Sequence, residues 1–369
     1  MYKVVRILLV LAVLSPAFLF ANNPEHGHDE HATTSKTDLT PDEKRVKNTE
    51  FVKHHTKDSH DFGLFSNEAT GAHYGFPLPV ILWDEGVHFF MSSKLDHGHS
   101  IAESNGKFYK LDSHSGKIYR TDSNGEFTHD EEGHVSNVAP LDFSVTKNVF
   151  VTMIMCLLIF LLFRKVARSY GSGLAPTGAA KFLEPIVVFI RDEIAIPNIG
   201  EKHYKKYMNY LLTVFFFIWF LNLAGMTPLG VNVTGNIALT FGLAMITFII
   251  THVTAKKDYW MHIFWMPGIP VPMKILLAPI EVIGMFVKPF ALMIRLYANM
   301  LAGHIVLGSL IAAVYYFSNY GAKGAFLGLT FFMNLIELLV AVLQAYIFTM
   351  LTALYFGSAS AEHEHAEEH

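Results

Sequence analysis

Cysteine is nearly absent: the 369-residue chain holds one, Cys156, inside an apolar run. A single thiol excludes an intramolecular disulfide framework, and its surroundings point to packing rather than chemistry. Charge is also scarce. Charged residues make up 16% of the chain against 51% hydrophobic ones, and the apolar residues gather in several long runs. That balance excludes an ordinary soluble protein of this size and points to a polytopic membrane protein with a water-exposed portion. The formal net charge is only -4, with basic residues scattered along the flanks of the apolar runs, so nucleic acid is not an expected partner. No phosphate-binding Gly-rich loop, nucleophile triad or redox centre is present. The chain is therefore expected to need no cofactor and to have no nucleotide-hydrolysing site of its own.

In chain order, residues 1–21 carry Lys3 and Arg6, an apolar core from Ile7 to Leu14, then Ser15-Pro16 and the small Ala21. That is the layout of a secretory signal peptide, with an uncleaved anchor as the alternative. The following region, 22–140, is expected outside the cytoplasm. It holds 13 of the 20 histidines, including His26, His28, His97 and His99. Without cysteines or a fixed ligand spacing these read as solvated loops rather than a metal site. Within it Asn105-Gly106, Ser115-Gly116 and Asn124-Gly125 recur at nine- to ten-residue spacing, with aromatic and β-branched residues after them, and predict a small β-meander.

The membrane domain is expected over 141–357. Phe143 to Phe163 is apolar enough to span, and Arg164, Lys165 and Arg168 mark its exit as cytoplasmic. Ala180 to Tyr207 is too charged to span and reads as an interfacial amphipathic helix. Tyr210 to Leu223 and Ile237 to Val253 follow as further spans. The last two helices, Met273 to about Phe317 and Ala325 to Phe356, are too long for a simple crossing. The first alone reaches roughly 65 Å, against a hydrocarbon core of about 30 Å. They are expected to form a tilted antiparallel pair, with Pro289 an available kink. That makes an all-α membrane fold of about five membrane helices with a small β-containing extracytoplasmic region. Residues 358–369, with Glu362-His363-Glu364-His365, read as a solvated cytoplasmic tail.

The long helix carries polar residues where lipid would exclude them. Glu281, Lys288 and Arg295 recur every seven residues and Asn299 follows by four, so they share one stripe. His304 falls on about the opposite face. By depth, Glu281 lies on the cytoplasmic half, Arg295 near the middle, and His304 outward. On the return helix Glu337 lies outward and Gln344 near the middle, and Asn222 also falls on the outer half. An arginine at mid-bilayer costs roughly 2.5–3.5 kcal/mol even on gentle insertion scales, so a chain that retains one there is usually using it. Two polar zones opening to opposite sides, with a permanent cation between them, describe two offset proton paths that do not leak. A secondary transporter, a simple ion channel and a flagellar-type stator also place charge in membranes. A transporter, however, usually shows two similar halves, and no internal membrane repeat is evident.

The run Lys288-Pro289-Phe290-Ala291-Leu292-Met293-Ile294-Arg295-Leu296-Tyr297-Ala298-Asn299-Met300-Leu301-Ala302-Gly303-His304 resembles the signature of subunit a of F-type ATP synthases. The likeness extends from Leu141 to about Phe356, through Asn222, Asn232 to Asn236 and Leu343 to Phe348. It implies that Arg295 is the essential arginine facing a ring of c subunits, that Asn299 and Gln344 are its polar companions, that Glu281 serves the cytoplasmic half-channel, and that Asn222 serves the outer one. In some members the acid stands where His304 is and the histidine where Glu337 is; here the two types are exchanged, as a possible titratable pair on adjacent helices. The resemblance also implies a stator role coupling proton flow to ATP synthesis in a bacterial inner membrane. Subunit b, the catalytic head and lipid are its implied partners.

Overall fold

The structure is a computed structural model and describes residues 58–67, 72–112, 115–130, 135–170, 178, 180–227, 231–266, 270–317 and 319–360. The expected signal peptide, His26, His28 and the tail Glu362 to His365 lie outside the described residues.

The first part is a strand module. β1 (Asp61–Asn67) and β2 (Ala72–Pro77) form a hairpin, and β3 (Pro79–Trp83) and β4 (Val87–Met91) form a second. β5 (Ala102–Ser104), β6 (Lys107–Leu111) and β7 (Ile118–Thr121) run up and down as the expected meander. Asn105 and Gly106 take φ of 52° and 74°, the left-handed pair that a two-residue hairpin turn requires. The third repeat differs: Asn124-Gly125 turns the chain but no strand follows it. β8 (Leu141–Asp142), beyond Pro140, completes a β4-β3-β8 sheet. Val80, Leu82, Phe90, Tyr109 and Ile118 form the module's core.

This module runs into the helices without a linker. Phe143 donates its N–H to Ile81 and Val145 to Pro79, at 2.8 and 3.0 Å, so residues the hydropathy assigned to the first span continue strand pairing instead. The helix α1 (Lys147–Ser169) begins four residues later than expected. Its N-terminus is held from far along the chain: Asp58 accepts from the Asn148 N–H at 3.0 Å and the Thr146 hydroxyl at 2.8 Å, a carboxylate satisfying donors that a helix start leaves open. Cys156 is exposed on α1. The packing role expected for it is not found, because α1 touches the bundle along only a narrow strip and leaves this face outward.

The segment after α1 is more deeply packed than an interfacial helix suggests. α2 (Ala180–Phe189) widens into a π-helical stretch, Ile190–Ala195, and continues as α3 (Ile196–Ile199). Ile190, Ile194 and Ala195 are fully buried against α4 (Tyr204–Gly225). α5 (Ile237–Thr254) returns alongside, and a short α6 (Lys257–Phe264) follows it. The final pair is α7 (Val271–Tyr316) and α8 (Tyr320–Ser360). At 46 and 41 residues, these are roughly 69 and 62 Å long, so they must slant to stay within a membrane. Both Pro279 and Pro289 lie inside α7 without ending it. Among the described residues, five helices (α1, α4, α5, α7 and α8) are long and apolar enough to cross a membrane. α4 is the hub, with Leu211, Phe216 and Ile218 fully buried against Ala345, Phe348 and Phe356 of α8.

Candidate functional site

Polar side chains enter this apolar bundle in two places. The first lies where the end of α4 meets the middle of α7 and α8. Asn222 is buried and held on both sides: its amide nitrogen donates to the Ala341 carbonyl at 3.3 Å, and its oxygen accepts from the Thr234 hydroxyl at 2.8 Å. Thr234 belongs to the connection between α4 and α5, which folds inward to deliver it. Asn236 ends that connection by capping α5 at the Ala238 N–H. Across from Asn222, Asn299 of α7 donates to the side-chain oxygen of Gln344 on α8 at 2.8 Å.

These residues line a recess of about 290 Å³, walled by Asn222, Met226, Asn299, Met300, Glu337 and Gln344 among others. Glu337 Oε1, Gln344 Nε2 and, close by, His304 Nε2 are buried without a hydrogen-bond partner. Buried polar atoms are normally satisfied, by protein or by water. Three unsatisfied ones in one neighbourhood leave polar valences open towards the recess, unlike the closed bonds around Asn222. One glycine makes the approach of Glu337 possible: a Cβ on Gly303 would lie 2.7 Å from Glu337 Oε1. His304 Nε2 stands beside Gly225 of α4, 3.6 Å from where a Cβ there would lie. His304 thus faces α4 while Asn299 faces α8, as its place on the opposite side of α7 requires. No hydrogen bond or ion pair joins His304 to Glu337. The direct pairing expected from their depths is absent, because one side chain turns to α4 and the other lies over Gly303.

The second recess, of about 330 Å³, opens at the other end of the bundle and includes Thr247, His252, Tyr259, Lys288, Leu292 and Tyr355 in its wall. His252 Nδ1 lies 2.7 Å from the Phe248 carbonyl, which can only accept, so Nδ1 carries the proton. Its Nε2 is then left to accept from the Tyr259 hydroxyl at 3.2 Å. The Lys288 ammonium sits over the Tyr355 ring at 5.8 Å. Burial, reinforced by the Glu281 charge, pushes the Tyr259 hydroxyl above its ordinary value. Glu281 therefore stands near this recess without lining it. Sequence reading missed His252, Tyr259, Tyr355 and Thr234; each is an ordinary residue on its own element and acquires significance only when helices meet.

The two recesses share no wall residue. Along α7 the second ends at Leu292 and the first begins at Leu296, both nearly fully buried. Arg295 falls in that interval, exposed on the surface of α7, within electrostatic reach of Tyr355. Glu281, Lys288, Arg295 and Asn299 run as a stripe whose lower and upper members meet Tyr355 and Gln344 of α8. Among the described residues, no three His, Cys, Asp or Glu side chains gather to hold a metal ion.

A family model described as the ATP synthase A chain matches residues 149–357. A second model, described as a domain of unknown function (DUF8433), matches residues 51–143, which coincides with the strand module. The chain is 44% identical over 250 residues to the ATP synthase subunit a of Pelodictyon phaeoclathratiforme, covering 64% of this chain and 72% of that protein. It is 44% identical to the subunit a of Chlorobium phaeobacteroides over 63% of this chain and 70% of that one. It is 40% identical to that of Myxococcus xanthus over 62% and 77%.

Proposed function

The chain belongs to the ATP synthase subunit a family, a multi-pass membrane component of ATP synthesis and proton transport, and on that footing we propose that its two recesses are the inner parts of two proton half-channels with Arg295 as the barrier between them. The observation that carries this reading is the interval on α7: two polar recesses with separate walls, and between them a buried leucine pair and a permanently charged side chain. A guanidinium does not give up its proton at any working pH, so it cannot relay one. It can only repel a passing proton or pair with a carboxylate brought to it.

In this reading the ring of c subunits turns past the exposed stripe of α7. A proton enters past Asn222, His304 and Glu337, neutralises a ring carboxylate and travels almost a full turn. It leaves through the second recess towards Glu281, when Arg295 displaces it. Asn299 and Gln344 hold the surface beside Arg295. His252 and Tyr259 join the exit side as a hydrogen-bonded pair facing the second recess. Each proton that bypassed the arginine would waste about 2.3 kcal/mol per 100 mV.

The same reading assigns residues 1–21 to a signal peptide, 22–140 to the extracytoplasmic side, 141–357 to the membrane and 358–369 to the cytoplasm. It sets the subunit in a bacterial inner membrane beside subunit b and under the catalytic head. Arg295→Ala tests it. ATP-driven acidification of inverted membrane vesicles is expected to fall to background, and passive proton leak to rise. Vesicles with a fully assembled variant enzyme that pump at the parental rate would refute the arrangement.

A further inference from the structure

The strand module carries an apolar surface that its own core does not use. Along β4 the residues alternate, with His88 and Phe90 inward and Val87, Phe89 and Met91 outward. The register sets Ile81 beside Phe89, and Trp83 between Val87 and Leu141. Phe143 continues the outer row of β8 by pairing with Ile81. Trp83, Val87, Phe89, Met91, Leu141 and Phe143 are between 39 and 65% exposed. Contiguous apolar faces of this kind on water-exposed domains mark contact surfaces. We propose that the outer face of the β4-β3-β8 sheet is seated in the headgroup layer of the adjoining membrane leaflet, which makes the module a lipid-docked element rather than a body standing free in water.

The argument for lipid is continuity with the membrane surface of the helices. Leu78, the residue before β3, belongs to one buried hydrophobic cluster with Phe62, Val151 of α1 and Leu221 and Ala224 of α4. The end of the sheet where Pro79 pairs with Met91 is therefore level with the ends of two membrane-crossing helices. On the neighbouring strand, Val145 bonds to Pro79 two residues before α1 starts, so no flexible stretch lets the sheet drift away. From that end the outer residues climb by about 7 Å for every two positions at most. The headgroup layer on one side of a bilayer is about 5–8 Å deep. The rows of Met91 and Phe89 fall within it, and the Trp83 row, up to about 14 Å from that end, stands above it, so the seating is by the half of the sheet nearest the helices.

Charge begins where this series ends. The turn after Trp83 carries Asp84 and Glu85, joined to Lys107 at 3.2 and 2.9 Å. A lipid-seated sheet should show such a gradient, apolar next to the helices and ionic beyond. On α1, into which this sheet leads, Met153 and Leu157 are also exposed apolar residues.

The test uses the full-length chain with Cys156→Ala, reconstituted in phosphatidylethanolamine and phosphatidylglycerol vesicles, with a nitroxide label on Phe89→Cys. Collision with oxygen, which concentrates in lipid, is compared with collision with a water-soluble nickel chelate. Met153→Cys on α1 gives the lipid reference and Glu103→Cys on β5 the water reference. An oxygen-to-nickel ratio at Phe89 several-fold above Glu103 and close to Met153 is the expected result. A ratio equal to that at Glu103 would overturn the proposal, since the face would stand in water. Exclusion of both reagents would overturn it equally, since another protein surface would then cover the sheet. Phe143→Cys, in the same row as Phe89 beside Ile81, repeats the measurement if Phe89→Cys does not fold.

Discussion

Asp84 in the strand module and Glu337 in the helical bundle are both carboxylates drawn away from water, yet their surroundings differ in kind. The Asp84 side chain is 8% exposed and is surrounded by donors: Lys107 Nζ at 3.2 Å, the Tyr109 hydroxyl at 3.1 Å and Arg120 Nη1 at 3.7 Å. Burial alone would raise its pKa, but these partners outweigh it and hold the carboxyl below its ordinary value. Glu337 has a buried oxygen with no partner at all. A saturated charge fixes a fold, whereas an unsaturated one in a recess is free to exchange protons and water. In the proposed function the module's charges are therefore structural and the bundle's carry protons.

Exchanging the two roles by mutation gives the sharpest test. Glu337→Gln is expected to abolish ATP-driven pumping while leaving the thermal stability of the assembled enzyme unchanged. Asp84→Ala is expected to do the reverse, exposing the strand module to protease and leaving proton pumping in assembled enzyme close to the parental rate. Pumping lost in both, with equal loss of stability, would erase the distinction. An intermediate effect is expected of Gly303→Ala, because the added Cβ would stand 2.7 Å from Glu337 Oε1 and push the carboxylate aside. Pumping should fall partially with no change in assembly, and a wild-type rate would mean that the position of Glu337 is not critical.

Much of this division was legible before any geometry. The motif from Lys288 to His304 and the seven-residue spacing of Glu281, Lys288 and Arg295 are local properties, and so are the apolar runs that became five long helices. Asn105-Gly106 announced its hairpin because only certain residues tolerate its left-handed turn. Other features depend on distant partners and leave no local trace. β1 and β2 were hidden by Gly63 and Gly75 and by an irregular register after Gly63, which breaks the alternation that identifies a strand. β8 was absorbed into the membrane domain expected to begin at residue 141. The His252 and Tyr259 pair needed the turn between α5 and α6, and Thr234 needed the inward fold of the preceding connection.

Two smaller effects refine the account of the module. Tyr109 is fully buried and its hydroxyl donates to Asp84, so Tyr109→Phe should cost about 1.5–3 kcal/mol, the usual worth of a bond to a charged group, seen as a lowered thermal midpoint of the module. At its junction with α1, Asp142 accepts from His60 at 2.8 Å. Burial pushes its carboxyl up, but the bonds from His60 and Ser144 more than offset this and its pKa is lowered. A lowered carboxyl contributes stability that is present above its unfolded value, near 3.9, and is lost as pH falls through the lower folded one. The junction should thus resist protease from neutral pH down to about pH 4 and open only below that. Asp142→Asn should flatten this dependence, and an unchanged acid transition would exclude the carboxyl as its source.

The two prolines inside α7 have a consequence of their own. A proline offers no N–H, so an unbroken helix passing through Pro279 and Pro289 has no regular donor for the carbonyls of Ile275 and Met285, four residues earlier. Met285 and Pro289 both border the second recess. The helix backbone thereby carries a carbonyl without its regular donor in the very segment that borders this recess. That acceptor stays the same while ionisable groups near it change charge, and replacing Pro289 by a residue with an N–H would withdraw it.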